Sequence, residues 1–210
     1  MAKGILIAAF DFSGAHEDEF HDWYDLEHVP ERQRVPGFGA CNRWIGAANP
    51  KQAVATYELD NLDVLKSPAY RAIGGENLSV WSKRVTGMCQ RLLRFEGEQI
   101  LPGDADAPAG AGALLINAMS VDPAHATEFN EWYDNEHIPA LAAVPGTLAA
   151  RRFRAHEGSP RYVALYHLAS PEVQASAEWK RAASTPWTER MRPHFRDHLR
   201  IVARAYQRGG

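Results

Sequence analysis

Residues 19–43, EFHDWYDLEHVPERQRVPGFGACNR, return without a gap as residues 128–152, EFNEWYDNEHIPALAAVPGTLAARR, at an offset of 109. Thirteen of these 25 positions are identical, and they include Trp, Tyr, His and three-residue Val-Pro-Gly segments. The register continues outside the window: Ile5-Leu6-Ile7 faces Leu114-Leu115-Ile116, and Tyr57 and Leu59 face Tyr166 and Leu168. A match of this length in uncommon residue types reads as a tandem duplication. The 210 residues then divide into unit 1 (1–100), a linker (101–111) rich in Ala, Pro, Gly and Asp, and unit 2 (112–210).

Within a unit the pattern is strand, helix, strand, strand, helix, strand. Apolar runs at 4–12 and 112–121 are first strands, and 16–34 and 125–143 carry helical periodicity. Pro30 and Pro139 are expected to end or kink those helices at the preceding residue. Val35-Pro36-Gly37 and Val144-Pro145-Gly146 are turns. Strands follow at 38–46 and 147–155 and at 52–59 and 161–168, then broken helical stretches at 61–84 and 171–194. Closing strands fall at 86–96 and 195–207. This βαββαβ order is ferredoxin-like and belongs to the α+β class. An antiparallel sheet with helices on one face leaves its other face bare. Apposing the two bare faces inside one chain predicts a pseudo-two-fold α+β barrel with helices outside.

Charge and cysteine content exclude several function classes. Residues 1–104 carry a net −4 and residues 105–210 a net +1, so neither unit is a basic nucleic-acid module. No apolar run approaches the ~18 residues that suggest a membrane span. The N-terminal apolar segment alternates like a strand and lacks a clear cleavage site, giving a cytoplasmic expectation. Cys41 and Cys89 stand apart, without a CxxC or Cys/His cluster, so no metal site is expected. No glycine-rich phosphate loop, GxSxG elbow or HExxH motif is present.

The repeated helix carries the chemistry. At about 100° per residue, Phe20, Trp23, Tyr24 and Glu27 share one stripe with His28 at its edge, while Asp22, Asp25 and Leu26 point elsewhere. Phe129, Trp132, Tyr133, Glu136 and His137 repeat the arrangement. A carboxylate within an aromatic stripe, if unpartnered, has a raised pKa suited to proton transfer, and His is easily poised near neutrality. His28, His137, Glu27 and Glu136 are therefore the acid–base candidates, with Trp23, Tyr24, Trp132, Tyr133, Tyr57 and Tyr166 lining the substrate. Arg43 and Arg152 are candidates to hold a substrate carboxylate or enolate. The structural alternative pairs Glu27 with Arg43 and Glu136 with Arg152 and leaves the aromatics as core. His167, beside Tyr166 and opposite Glu58 in the repeat, is the remaining catalytic candidate.

The motif F-x-x-W-Y-D-x-E-H-x-P followed by V-P-G, here Phe20 to Gly37 and again Phe129 to Gly146, resembles the EthD-like branch of the dimeric α+β barrel superfamily. The resemblance implies two ferredoxin-like units closing a barrel. It also implies chemistry of the kinds such barrels host: cofactor-free monooxygenases, muconolactone-type isomerases, polyketide cyclases and haem-binding enzymes. A His near the end of the first helix recurs as an acid–base group in the superfamily and matches His28 and His137. Asn117, Trp132 and His137 are of the types used by haem-degrading relatives.

Three functions follow as expectations. The first is a cofactor-independent isomerase, cyclase or lyase moving protons on an aromatic-derived lactone, enol or polyketide-like small molecule, in catabolism or secondary metabolism. The second is a monooxygenase, cofactor-free or haem-dependent. The third is a non-catalytic ligand-binding barrel with both Glu–Arg pairs formed and no cavity reaching either His. A further association of barrels into a homo-oligomer is compatible with all three.

Overall fold

In the computed structural model, which describes residues 2–208, eight antiparallel strands close into one barrel in the order β1-β3-β2-β8-β5-β7-β6-β4. The strands are β1 (Gly4–Asp11), β2 (Phe38–Gly46), β3 (Gln52–Leu59), β4 (Gln90–Leu101), β5 (Ala113–Val121), β6 (Thr147–Arg154), β7 (Tyr162–Leu168) and β8 (Phe195–Ala205). The first four strands lie in the order β4-β1-β3-β2 and the last four in the order β8-β5-β7-β6. Both are ferredoxin-like orders. The two runs meet at a β2–β8 seam of three residue pairs (Trp44 with Ala205 to Gly46 with Ala203) and at a β4–β6 seam.

Strict alternation along the strands decides which side chains go where. Ile5, Ile7 and Ala9 of β1, Leu114 and Ile116 of β5, and Phe95, Phe153, Leu165 and Ile201 fill the barrel interior. The opposite set (Leu6, Tyr57 and Leu59 in the first half; Leu115, Tyr166 and Leu168 in the second) faces the helices. β4 runs to Leu101, past the 96 expected, because Glu98, Gln99 and Leu101 pair with β6 across the seam.

The interior also holds one bidentate ion pair. Arg151 on β6 donates to Glu58 on β3 through Nη2–Oε1 at 2.7 Å and Nη1–Oε2 at 2.9 Å. Nη1 also donates to the Ala105 carbonyl, so the segment after β4 is tied to the barrel end.

The helices on the outer face are α1 (Glu17–Asp22), α2 (Val29–Gln33), α3 (Pro68–Arg71), α4 (Val80–Gly87), α5 (Ala126–Trp132), α6 (Ile138–Ala142), α7 (Ala177–Ala183) and α8 (Pro186–Met191). Hydroxyl N-caps start four of them: Ser67, Ser79, Ser176 and Thr185 accept from the third residue on. Between α1 and α2, Trp23–His28 is a π-helical turn, and Tyr133–His137 is another between α5 and α6. Contrary to an end before Pro30 and Pro139, the chain stays helical through both, the regular α-helix giving way to the π-turn just ahead of them. The hydrogen-bond ladder restarts after each π-turn, so the prolines fall in the first turn of α2 and α6, where a missing N–H is harmless. Each helix then ends at Val-Pro-Gly. Gly37 and Gly146 have φ of +91° and +90°, and a Cβ at either would crowd a valine methyl. Among the described residues no helix is long and apolar enough to cross a membrane.

Replacing Glu58 by Gln leaves the Arg151 guanidinium buried without its counter-charge, and the expected loss is about 3–5 kcal/mol of unfolding free energy. Urea denaturation of wild type and Glu58→Gln measures it. A shift within ~0.5 kcal/mol would show that the pair holds nothing together.

Candidate functional site

The two π-turns set the geometry of the motif. A π-turn brings residues five apart over one another instead of three or four apart. His28 consequently tilts against Trp23 with ring centroids 4.4 Å apart, and His137 against Trp132, also at 4.4 Å. Tyr24 and Tyr133 present their rings edge-on to the same imidazoles at 5.4 and 5.1 Å. A uniform 100° wheel misplaces these residues, which is why His28 lay at the stripe edge in the sequence reading.

The same change of phase redirects the charges. Arg43 does not pair with Glu27. It bonds Asp25 and the His21 ring (2.7 Å) and lies between the Tyr24 and Tyr206 rings, 4.5 and 4.0 Å from their centroids. Arg152 likewise bonds Asp134 and Asn130 (2.9 Å) over Tyr133, leaving Glu136. Glu27 accepts from the Ser79 hydroxyl at 2.5 Å and from Ser82 at 3.1 Å, and Glu136 accepts from Thr185. Ser79 and Thr185 are the N-caps of α4 and α8, so each glutamate ties the first helix to a later one. Neither glutamate forms a dyad with its neighbouring histidine, and both expected Glu–Arg pairs are absent.

Each histidine lines a pocket between helices and the outer sheet face. The first, about 270 Å³, is walled by Leu6, Ala8, Phe10, Trp23, His28, Tyr57 and Tyr70, with Arg32, Arg91 and Arg94. The second, about 170 Å³, is walled by Leu115, Asn117, Trp132, His137, Tyr166, Trp179, Phe195 and His198. Many lining positions correspond at the 109-residue offset, and the differences explain the volumes. Ala8 becomes Asn117, Tyr70 becomes Trp179, Gly74 becomes Ala183 and Thr86 becomes Phe195, each adding atoms to the second pocket. Arg32, 3% exposed, becomes Leu141.

Both pockets contain polar atoms that the protein leaves unpaired. Nδ1 of His28 and of His137, and the hydroxyls of Tyr57 and Tyr166, are buried with no hydrogen-bond partner. Trp23 Nε1 donates to Ser82 at 2.9 Å, whereas Trp132 Nε1 is orphaned. Burial, then the nearby Arg32, Arg94 and Arg43, hold His28 well below the usual imidazole range. Burial and then Arg152 and Arg192 bring His137 down to about 3. Burial raises the Tyr57 and Tyr166 phenols far above their ordinary value. The imidazoles are thus neutral at physiological pH and the phenols protonated.

His167 belongs to neither pocket. It points into the barrel end beside Trp44 (centroids 6.1 Å apart), and burial followed by Arg151 lowers it to about 3. It lines a hollow of about 630 Å³ with Cys41, Asn42, Arg43 and the 107–111 segment. A metal-capable cluster was missed in the sequence: Asp122, His125 and His194 bring ligand atoms within 4.8 Å of one another. Asp122 and His125 are three residues apart, but the third member, His194, comes from a distant stretch, and Arg196 already holds Asp122 at 2.7 Å.

The histidine pockets do not fit a haem. The two histidine pockets are smaller than the ~300–1,000 Å³ of ordinary organic-ligand sites, and a tetrapyrrole needs the upper part of that range. A ligating imidazole normally anchors its second nitrogen on a carbonyl, carboxylate or water. Nδ1 of His28, His137 and His167 has no such protein partner. In the larger hollow, burial raises the Cys41 thiol to about 11, which disfavours a thiolate ligand.

No protein-family profile matches the sequence, and no curated protein does. Solved structures do share the fold. An anthrone oxidase-like protein superposes with a TM-score of 0.68 at 10% identity, covering 99% of this chain and 92% of that one. A protein named as a monooxygenase from Lactobacillus acidophilus gives 0.59 at 10% identity over 98% and 94%. Chlorite dismutase from Candidatus Nitrospira defluvii, solved with imidazole, gives 0.58 at 10% identity over 98% and 91%. The chain therefore has the fold of the dimeric α+β barrel proteins. The expectation of an isomerase, cyclase or lyase is corrected here: the structural neighbours carry names of oxidative chemistry, and the His–Glu dyad that reading needed does not form.

The unpaired imidazoles make a pH prediction. Unfolded, each of His28, His137 and His167 titrates near 6.5; folded, each stays neutral to much lower pH. Their contribution is complete above pH ~6.5 and is lost as pH falls toward the folded values, at about 1.4 kcal/mol per pH unit per histidine. Urea midpoints should fall steeply between pH 6.5 and 4.5, and His137→Gln should make that slope shallower. A flat profile would contradict the burial of neutral imidazoles.

Proposed function

We propose that the chain is an oxygenase that works without a bound redox cofactor on an activated aromatic substrate, and that the His28 pocket is its active site. The observation that carries the reading is a neutral, carboxylate-free His28 imidazole lining an aromatic pocket beside the unpaired Tyr57 hydroxyl. The names of the anthrone oxidase-like and monooxygenase structures support the same class.

The chemistry suits a methylene flanked by aryl rings. His28 takes a proton from the carbon, and Tyr57 donates a hydrogen bond to the enolate oxygen that develops. Burial, more than the nearby arginines, weakens His28 as a base, and the arginines in turn stabilise the substrate anion that forms. The carbanion gives an electron to dioxygen and the resulting pair combines, forming a C–O bond to a hydroperoxide. Loss of the second C–H proton and cleavage of the O–O bond release water and leave a ketone. One oxygen atom of dioxygen enters the product, the other leaves as water, and the methylene supplies all four electrons.

The second pocket keeps His137, Trp132 and Tyr166, but Trp179, Phe195 and Asn117 take up its space. We read the chain as two fused units of the EthD-like kind, residues 1–100 and 112–210, of which the first is catalytic. The correspondence of the pocket linings at one offset supports the duplication.

Oxygen-electrode assays with anthrone as substrate test the assignment. His28→Ala should lower the rate about 10²–10⁴-fold, while His137→Ala stays within about threefold. Equal losses, or no oxygen uptake by wild type with anthrone or phenol-activated analogues, would remove the proposal. Expression of residues 1–104 alone tests the fused-unit reading. The bare inner sheet face and the open seam strands should drive dimerisation or aggregation, and a monodisperse monomer would count against it.

A further inference from the structure

We infer that the substrate of the His28 pocket is an aromatic carboxylate whose anionic group sits at the pocket rim against Arg91. This rests on the pocket assignment above and extends it to the class of substrate.

Three guanidinium groups line the pocket and no carboxylate does. Their surroundings separate them. Arg32 is buried and engaged, donating to Glu31 at 2.7 Å and to the Ile73 carbonyl at 3.2 Å. Arg94 is held by Glu96 and reaches the Tyr70 hydroxyl at 3.5 Å. Arg91 is exposed, and among the described residues it has neither an ion pair nor a side-chain hydrogen bond. The rim therefore presents one uncompensated positive charge, with two partly compensated ones behind it.

The interior points to the rest of the molecule. Trp23, Tyr57, Leu6 and Phe10 give aromatic and apolar walls. An aromatic ring suits such a lining, and a carboxylate on the ring can be gripped by a guanidinium with two parallel hydrogen bonds. The electrostatics agree: the charges that push down His28 after burial are all cations, so the field at the ring favours an anion. At the 109-residue offset the two inner charges are not repeated, whereas the rim charge is. Arg91 is matched by Arg200, but Arg32 and Arg94 are matched by Leu141 and Ala203.

Calorimetric titration with 2-naphthoate and with its neutral isostere 2-naphthamide tests the inference without turnover. Naphthoate should bind at least ~10-fold more tightly, and the advantage should shrink as salt is raised. Arg91→Gln should remove the advantage while leaving naphthamide binding unchanged, which also reports an intact pocket. Arg200→Gln should leave both affinities as they are. Equal affinities for the two ligands, or a preference that survives Arg91→Gln or is lost in Arg200→Gln, overturns the carboxylate inference. Because the titration needs no oxygen chemistry, a wild type that binds naphthoate selectively yet consumes no oxygen would refute the oxygenase reading alone.

Discussion

The structure depends on burying the inner faces of two antiparallel four-stranded arrays against each other. Each array carries helices on one side only, and its other side is a surface of Ile, Leu, Val and Phe. At roughly 25 cal/mol per Å² of apolar area, leaving such a face in water would cost more than a domain of this size can sustain. Closing the barrel buries both faces at once and joins the edges at two short seams of three residue pairs each. The Glu58–Arg151 pair sits inside this apolar volume and joins the halves by direction as well as by area.

The site is a consequence of that closure. With the interior filled by apolar side chains, the two histidine pockets lie on the outer sheet faces, beneath the helices. The π-turns add a residue to the turn and set a histidine against a tryptophan. The glutamate that looked reactive in the sequence fixes this arrangement from the side, bonded to the hydroxyl that caps a later helix. The pocket is thus framed by hydrogen bonds that stop short of His28, which stays neutral with its Nδ1 unpaired.

The two histidine pockets line up at one sequence offset but differ in capacity. Larger side chains have narrowed the second, while the first keeps small residues at Ala8 and Gly74 and a set of arginines around its opening.

The sequence by itself determined the strand order and the antiparallel α+β class, because period-2 and period-3.6 patterns are local and appear twice. Trp23, His28, Tyr57 and their counterparts were also legible as one cluster, since the repeat marks them. The partners of the charged residues were decided only by tertiary structure. Glu27 going to Ser79, Arg43 to Asp25 and Arg151 to Glu58 depends on a π-turn whose phase no regular wheel contains and on strands brought together by closure. Periodicity fixes which face a residue occupies, whereas pairing and pocket volume are set by elements distant in the chain.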